Sequence, residues 1–196
     1  MKYIIMADGE STRWNYYLGI PKHFIEIDGE LIIKRAIRLL HENDNECTIV
    51  VTSRNEKYEF PGSVRHKPAN NVLEIDRFTK ELISDNVCFL YGDTYYSEDA
   101  IRTIVQSETD DVLFFGNNDS IVAIKVADGA LFFEHVARVR NLFLNGVIGK
   151  CVGWQVYQSF VGLPFEGKEI TEKFIVINDG TMDFNEPKDY LSRNKR

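Results

Sequence analysis

Residues 3–6 form a short, unbroken apolar run of the kind a strand buried on both faces shows, and residues 8–19 behind it read as a polar and aromatic loop. Residues 24–27 alternate and stop at Asp28-Gly29, a turn pair. Ile32, Ile33, Ala36, Ile37 and Leu40 then recur at helical spacing and predict a helix. Residues 47–52 and 87–91 are two further buried-strand runs. Between them Asn71, followed three positions on by Glu74, resembles a capping box and predicts a helix beginning there. Ser97 predicts the N-cap of a helix reaching Gln106, residues 112–115 and 121–126 read as strands, and residues 130–144 and 147–160 read as two helices parted near Asn145-Gly146. Residues 174–177 make a last strand, and Pro187 opens a short final helix where proline is tolerated.

This alternation of strands and helices predicts one three-layer, Rossmann-like α/β domain over residues 1–196 with a mostly parallel central sheet. The length agrees, because a chain of 196 residues buries roughly 70% of its unfolded surface in a single core. No Pro/Gly/Ser-rich linker, low-complexity segment or internal repeat interrupts it.

The net charge of −7 leaves no global positive field for a nucleic-acid backbone or an anionic membrane, so neither is an expected partner, and any phosphate must be held locally. Residues 1–40 are the exception to this acidity, with six basic and five acidic side chains. Three cysteines, an odd number in a chain too large to need staples, argue for free thiols and a cytoplasmic location. The apolar N-terminal run stops at Asp8, too short for a signal-peptide core or a membrane span.

Ligands of open α/β sheets sit at the carboxyl ends of the strands, which directs attention to Ala7-Asp8-Gly9-Glu10-Ser11-Thr12-Arg13 and, eight residues later, Pro21-Lys22. Neither the dinucleotide G-x-G-x-x-G nor a G-x-x-x-x-G-K-[ST] phosphate loop is present. The stretch resembles the signature of the nucleotidyltransferase superfamily that makes nucleotide sugars and related head groups, including the molybdenum-cofactor type, in which a first strand runs into A-[AG]-G-x-G-[TS]-R and then P-K. Ala7, Gly9, Thr12, Arg13, Pro21 and Lys22 match in order, and Ile27-Asp28-Gly29 resembles the family's next step. The resemblance implies a GT-A-like fold, a loop at residues 7–12 that binds nucleotide, and Arg13 and Lys22 bracing a triphosphate as pyrophosphate departs. Asp8 stands where the family has Ala or Gly, and Ser11 where it has Gly. With Glu10, Asp8 makes residues 7–13 net negative, so either a metal ion helps hold the triphosphate or affinity for it is lost.

Gly92-Asp93 after the third buried strand resembles the family's carboxylate ligand for Mg²⁺, and residues 183–190 (DFNEPKDY) resemble its D-[IV]-[DN]-T-P-E-D-[LY] element, with Asn185 at the ligand position and Asp183 able to share the task. Asp189 is expected to cap the last helix instead. In this family the base is read by the loop after the second strand and the segment opening the next helix, here residues 52–54 and 69–71. Asn71 could read a base edge or simply cap a helix. Trp14, Tyr16, Tyr17, Trp154 and Tyr157 could stack on a substrate or pack in the core, and Lys125 and Lys173 are most simply surface lysines. No Cys/His cluster has zinc spacing.

The resemblance thus implies a Mg²⁺-dependent nucleotidyltransferase that joins a nucleoside triphosphate to a phosphorylated acceptor, such as a sugar phosphate, and releases pyrophosphate. Two alternatives stand beside it. A nucleotide-sugar-dependent glycosyltransferase shares the layout but needs D-x-D where Asp93-Thr94-Tyr95 stands, and a nucleotide-binding module without turnover is suggested by Asp8, Ser11 and Asn185.

Overall fold

The computed structural model describes residues 1–9 and 12–193. In chain order its regular elements are β1 (Lys2–Met6), β2 (Glu26–Ile27), β3 (Glu30–Leu31), α1 (Ile32–Asn43), β4 (Thr48–Thr52), β5 (Val64–His66), β6 (Val87–Tyr91), β7 (Thr94–Tyr95), α2 (Glu98–Gln106), β8 (Val112–Gly116), β9 (Ile121–Val126), α3 (Gly129–Leu144), α4 (Gly153–Val161), β10 (Phe174–Val176), β11 (Met182–Asp183) and α5 (Pro187–Arg193). Seven strands form the central sheet in the order β10-β8-β9-β6-β1-β4-β5. All its pairings are parallel except those of β9, which runs antiparallel to both β6 and β8.

The continuous apolar runs are explained by burial on both faces. Tyr3, Ile5, Ile49, Val51, Cys88 and Leu90 pack on one side with α1 and α2, while Ile4, Met6, Val87 and Phe89 pack on the other with α3 and α4. A third, smaller cluster of Trp14, Ile25, Ile27, Ile32, Tyr95 and Phe184 lies apart from both. The fold is therefore the expected three-layer α/β arrangement with a mostly parallel sheet.

Local chemistry sets several boundaries. Asp28 and Gly29, at φ 54° and 79°, make the two-residue turn that pairs β2 with β3. The Ser97 hydroxyl accepts the Ala100 N–H at 2.9 Å and caps α2. Gly146, at φ 71°, ends α3, with Val147 N–H donating to Leu142 C=O at 2.9 Å and Gly146 N–H to Phe143 C=O at 3.0 Å.

Two expectations fail. No α-helix starts at Asn71: the segment forms two 3₁₀ turns, Glu74–Phe78 and Lys80–Leu82, broken by Thr79 at φ 46°. Asp76, not Asn71, supplies the cap, its carboxylate accepting the Val72 and Leu73 N–H groups at 3.1 and 2.8 Å. The second correction is that α4 begins only at Gly153, because residues 147–152 form an irregular connection after the glycine stop. Among the described residues no helix is long and apolar enough to cross a membrane.

Candidate active site

Parallel register brings three loops to one edge of the sheet, since Met6 lies opposite both Thr52 and Tyr91. The pairing continues past the strands, with Ala7 N–H donating to Thr52 C=O at 3.1 Å and Gly92 N–H to Met6 C=O at 3.0 Å. A Cβ at residue 92 would stand 2.7 Å from the Met6 oxygen, which is the physical reason for glycine before Asp93.

Asp93 meets Lys22 there. Pro21-Lys22 enters a 3₁₀ turn, Lys22–Phe24, that carries the ammonium inward, and the buried Lys22 and Asp93 side chains form an ion pair. Burial by itself would raise the Asp93 carboxyl, but the positive charges around it, Lys22 foremost and Arg77 among them, together hold the group below the usual carboxylate range. Two residues predicted from separate motifs thus act as one unit.

The neighbouring His23 is buried, with Nδ1 2.9 Å from the Tyr58 hydroxyl, and desolvation lowers its pKa to about 4. It is neutral at pH 7. Between pH 6.5 and 4 the unfolded chain binds a proton that folded His23 refuses, so stability is present above pH 6.5 and falls on acidification by about 3 kcal/mol. Urea titrations at a series of pH values should show this slope, and a His23→Gln variant should flatten it.

The C-terminal segment reaches the same place through β11, whose Asp183 lies opposite Thr94 of β7. Phe184 N–H donates to the Asp93 carbonyl at 2.8 Å, and its ring is fully buried. Burial first, and then the charge of Asp93, pushes the Asp183 carboxyl above its usual range. Asn185 orients its neighbours: its amide N–H donates to Asp183, and its Oδ1 accepts from Arg13 Nη2 at 3.0 Å. Asp189 accepts the Asn185 and Glu186 N–H groups at 2.9 and 2.7 Å, the capping role expected of it.

Arg13, Asp93, Asp183 and Asn185 line a cavity of 120 Å³ together with Arg77, which the sequence reading did not single out. Arg77 belongs to the unexpected 3₁₀ turn, and its guanidinium carbon would stand 3.1 Å from a Cβ at Gly9. Glycine in the first loop therefore admits a second arginine. No local pattern announces Arg77, because only the 3₁₀ geometry and the missing side chain at residue 9 bring it in.

A separate cavity of 440 Å³ lies between the first loop and the loop after β4, lined by Ala7, Asp8, Gly9, Arg54 and the aromatic rings of Trp14, Tyr16 and Tyr58. Asp8, the residue that departs from the family pattern, accepts from Arg54 and from the Asn71 amide, which also donates to the Asp8 carbonyl. Asn71 is thus a loop clamp at this cavity. Thr12 is exposed in the turn beyond, and Glu10 and Ser11 lie outside the described residues.

The remaining candidates are structural. Trp14 is buried and donates to Ile20 C=O at 2.9 Å, Tyr157 is buried, Lys125 donates to the Val105 and Ser107 carbonyls, and Lys173 pairs with Asp111. Trp154 stacks on Phe174 and lines the small cavity as well as an adjoining one of 870 Å³.

A divalent ion fits the donor set in a limited way. Among the described residues no group of three His, Cys, Asp or Glu side chains gathers for a metal. Two carboxylates, Asp93 and Asp183, are nonetheless the hard-oxygen set that Mg²⁺ accepts when substrate phosphates supply the rest.

No protein-family model matches the chain, and no curated protein matches it in sequence. Solved structures match across its length. A protein assigned as a glucose-1-phosphate thymidylyltransferase from Bacillus anthracis, solved with sucrose, is 13% identical and superposes with a TM-score of 0.65 over 100% of this chain and 94% of its own. The chain has the fold of the sugar-phosphate nucleotidyltransferases. The inositol-1-phosphate CTP transferase of T. maritima shares this nucleotidyltransferase fold at 15% identity and TM-score 0.57, covering 96% of this chain and 90% of its own. The 2-C-methyl-D-erythritol 4-phosphate cytidylyltransferase of Thermus thermophilus does so at 13% and 0.58, covering 99% and 97%.

Proposed function

We propose that this chain is a Mg²⁺-dependent nucleotidyltransferase that transfers a nucleotidyl group from a nucleoside triphosphate to a small phosphorylated acceptor, a sugar phosphate or similar, releasing pyrophosphate. The observation that carries the reading is the convergence of Arg13, Arg77 and the Lys22–Asp93 pair with Asp183 at the carboxyl ends of β1 and β6. The names of the structural neighbours, two cytidylyl transferases and a thymidylyltransferase, support it.

In this reaction an acceptor phosphate oxygen bonds to the α-phosphorus as the bond to the β-phosphate oxygen breaks and its electron pair leaves with pyrophosphate. The acceptor oxygen is already ionised at neutral pH, so no general base is required, in keeping with a His23 that is buried, neutral and bonded to Tyr58. Catalysis is positioning plus charge neutralisation. Arg13 and Arg77 face the small cavity and would take the phosphates, while Lys22 keeps Asp93 ionised and in place. Bound Mg²⁺, held by Asp93 and Asp183, would neutralise charge on the phosphates. The 870 Å³ cavity shares Asp119, Val152 and Trp154 with the small one and offers room for the body of an acceptor. Because Arg54 and Asn71 take up the Asp8 carboxylate, it does not stand as an uncompensated charge against a triphosphate. The three cysteines are free thiols, which supports a cytoplasmic site of action.

The test is pyrophosphate release from GTP, CTP, UTP, ATP and dTTP with a panel of sugar and polyol phosphates, with Mg²⁺ and with EDTA. One triphosphate–acceptor pair is expected to give metal-dependent release. Hydrolysis of a UDP-sugar without pyrophosphate from any triphosphate would replace the reading by glycosyl transfer.

A further inference from the structure

Asp8 accepts the Arg54 backbone N–H on Oδ1 at 2.8 Å, and on Oδ2 it accepts Arg54 Nε–H at 2.9 Å and the Asn71 amide at 3.0 Å. Its side chain is only 8% exposed, whereas that of Arg54 is 49% exposed. One carboxylate therefore grips a single arginine at two points, its backbone and the inner nitrogen of its guanidinium. Among the described residues no hydrogen bond uses the outer Nη1 and Nη2 groups of Arg54, which lines the 440 Å³ cavity beside Ser53, Asn55 and Tyr58. Of the site's other cations, Arg13 and Arg77 line the separate 120 Å³ cavity with Asp93, and Lys22 is buried in its pair with Asp93. The charge suited to phosphates is thus gathered around one cavity, and among the described residues lining the neighbouring one, walled by aromatic rings and an amide, Arg54 is the one cation.

A guanidinium held through Nε presents its two Nη groups as a fork of parallel donors, which matches a pair of adjacent acceptors. Guanine offers O6 with N7, and cytosine offers O2 with N3. Uracil and thymine place an N3–H donor beside each carbonyl, and adenine places an amino group beside its ring nitrogens. We propose that Asp8 is a positioning residue that aims Arg54 at the base of the bound nucleotide, selecting guanine or cytosine. The proposal rests on the nucleotidyl-transfer reading. It gives the residue that departs from the first-loop pattern a task in place of a penalty.

Calorimetric titration tests it, using GTP, CTP, UTP, ATP and inorganic pyrophosphate, each with Mg²⁺, against the full chain and its Arg54→Ala, Asp8→Ala and double variants. The unaltered protein should bind GTP or CTP at least about tenfold more tightly than UTP and ATP. Arg54→Ala should remove that preference and leave pyrophosphate binding as it was. Asp8→Ala should remove it too, and the double variant should lose nothing further, as expected of two residues acting as one unit. Asp8→Ala can also destabilise the loops, so Arg54→Ala, a change at a half-exposed loop residue, carries the test if that variant does not fold. Equal losses for all four triphosphates and pyrophosphate would make Arg54 a phosphate contact and overturn the proposal. A base preference that survives Arg54→Ala, or additive losses in the double variant, would do the same. If the unaltered protein binds no triphosphate at all, the proposed function itself falls. Binding that is indifferent to Arg54 sinks only the present inference.

Discussion

An Asp93→Asn variant is expected to lose about a thousandfold of its metal-dependent turnover, since a divalent ion at transferring phosphates is worth several kcal/mol and each 1.4 kcal/mol is a factor of ten. The amide keeps the shape of the carboxylate and can still accept from Lys22, but it offers no charge to a cation. The same change leaves the buried Lys22 ammonium without its anion, and removing one partner of a buried pair costs about 3–5 kcal/mol of stability. The two effects can be separated. A Lys22→Met, Asp93→Asn variant removes both charges and should regain much of the lost stability while turnover stays absent. Pyrophosphate release and thermal melting on the single and double variants measure the two quantities. Near-normal release from Asp93→Asn would remove that residue from the centre of the site.

Phe184→Ala should cost about 3–5 kcal/mol, the usual range for deleting a buried phenyl ring, and should lower turnover although Phe184 touches no cavity described above. The ring is fully buried with Trp14, Ile25 and Tyr95, in a cluster separate from the two cores of the sheet. Its backbone N–H is bonded to the Asp93 carbonyl, and its chain neighbours are Asp183 and Asn185. This one anchor holds the second carboxylate and the partner of Arg13 against the first carboxylate. Denaturant titration gives the stability. An activity assay run well below the new melting temperature isolates the second effect, and unchanged activity there would show that β11 alone sets the position of Asp183.

The order of elements was legible because each buried strand is a continuous apolar run and each long helix keeps its period. Residues 3–6, 87–91 and 121–126 fall within β1, β6 and β9, and the stops at Asp28-Gly29 and Asn145-Gly146 are true turns whose glycines adopt positive φ. The helix expected at Asn71 failed for a related reason. Its capping signal was only two residues long, and a tertiary contact outweighed it: the Asn71 amide is drawn to Asp8, 63 positions away. Asp76 then satisfied the backbone that Asn71 left open.

The site was half legible. Lys22, Asp93, Asp183 and Asn185 were named and assigned to one metal and phosphate site from motifs, but the direct pairing of Lys22 with Asp93 was not, because an ion pair spanning 71 positions leaves no trace in local pattern. Arg54 passed as one residue of a base-reading loop, and Arg77 passed unnoticed on a segment expected to be plain helix.

By itself the sequence determined the layers, encoded over a few consecutive residues by hydrophobic period and turn preference, and its resemblance to a nucleotidyltransferase signature directed attention to the first loop. It also posed the question of a carboxylate at Asp8. Only the tertiary structure decided that Asp8 belongs to Arg54 and Lys22 to Asp93, and that Arg77 shares a cavity with Arg13. Such pairings follow from strand register and loop packing, and the electrostatic partner of a charged group is set by distance in space, which the linear order of residues does not contain.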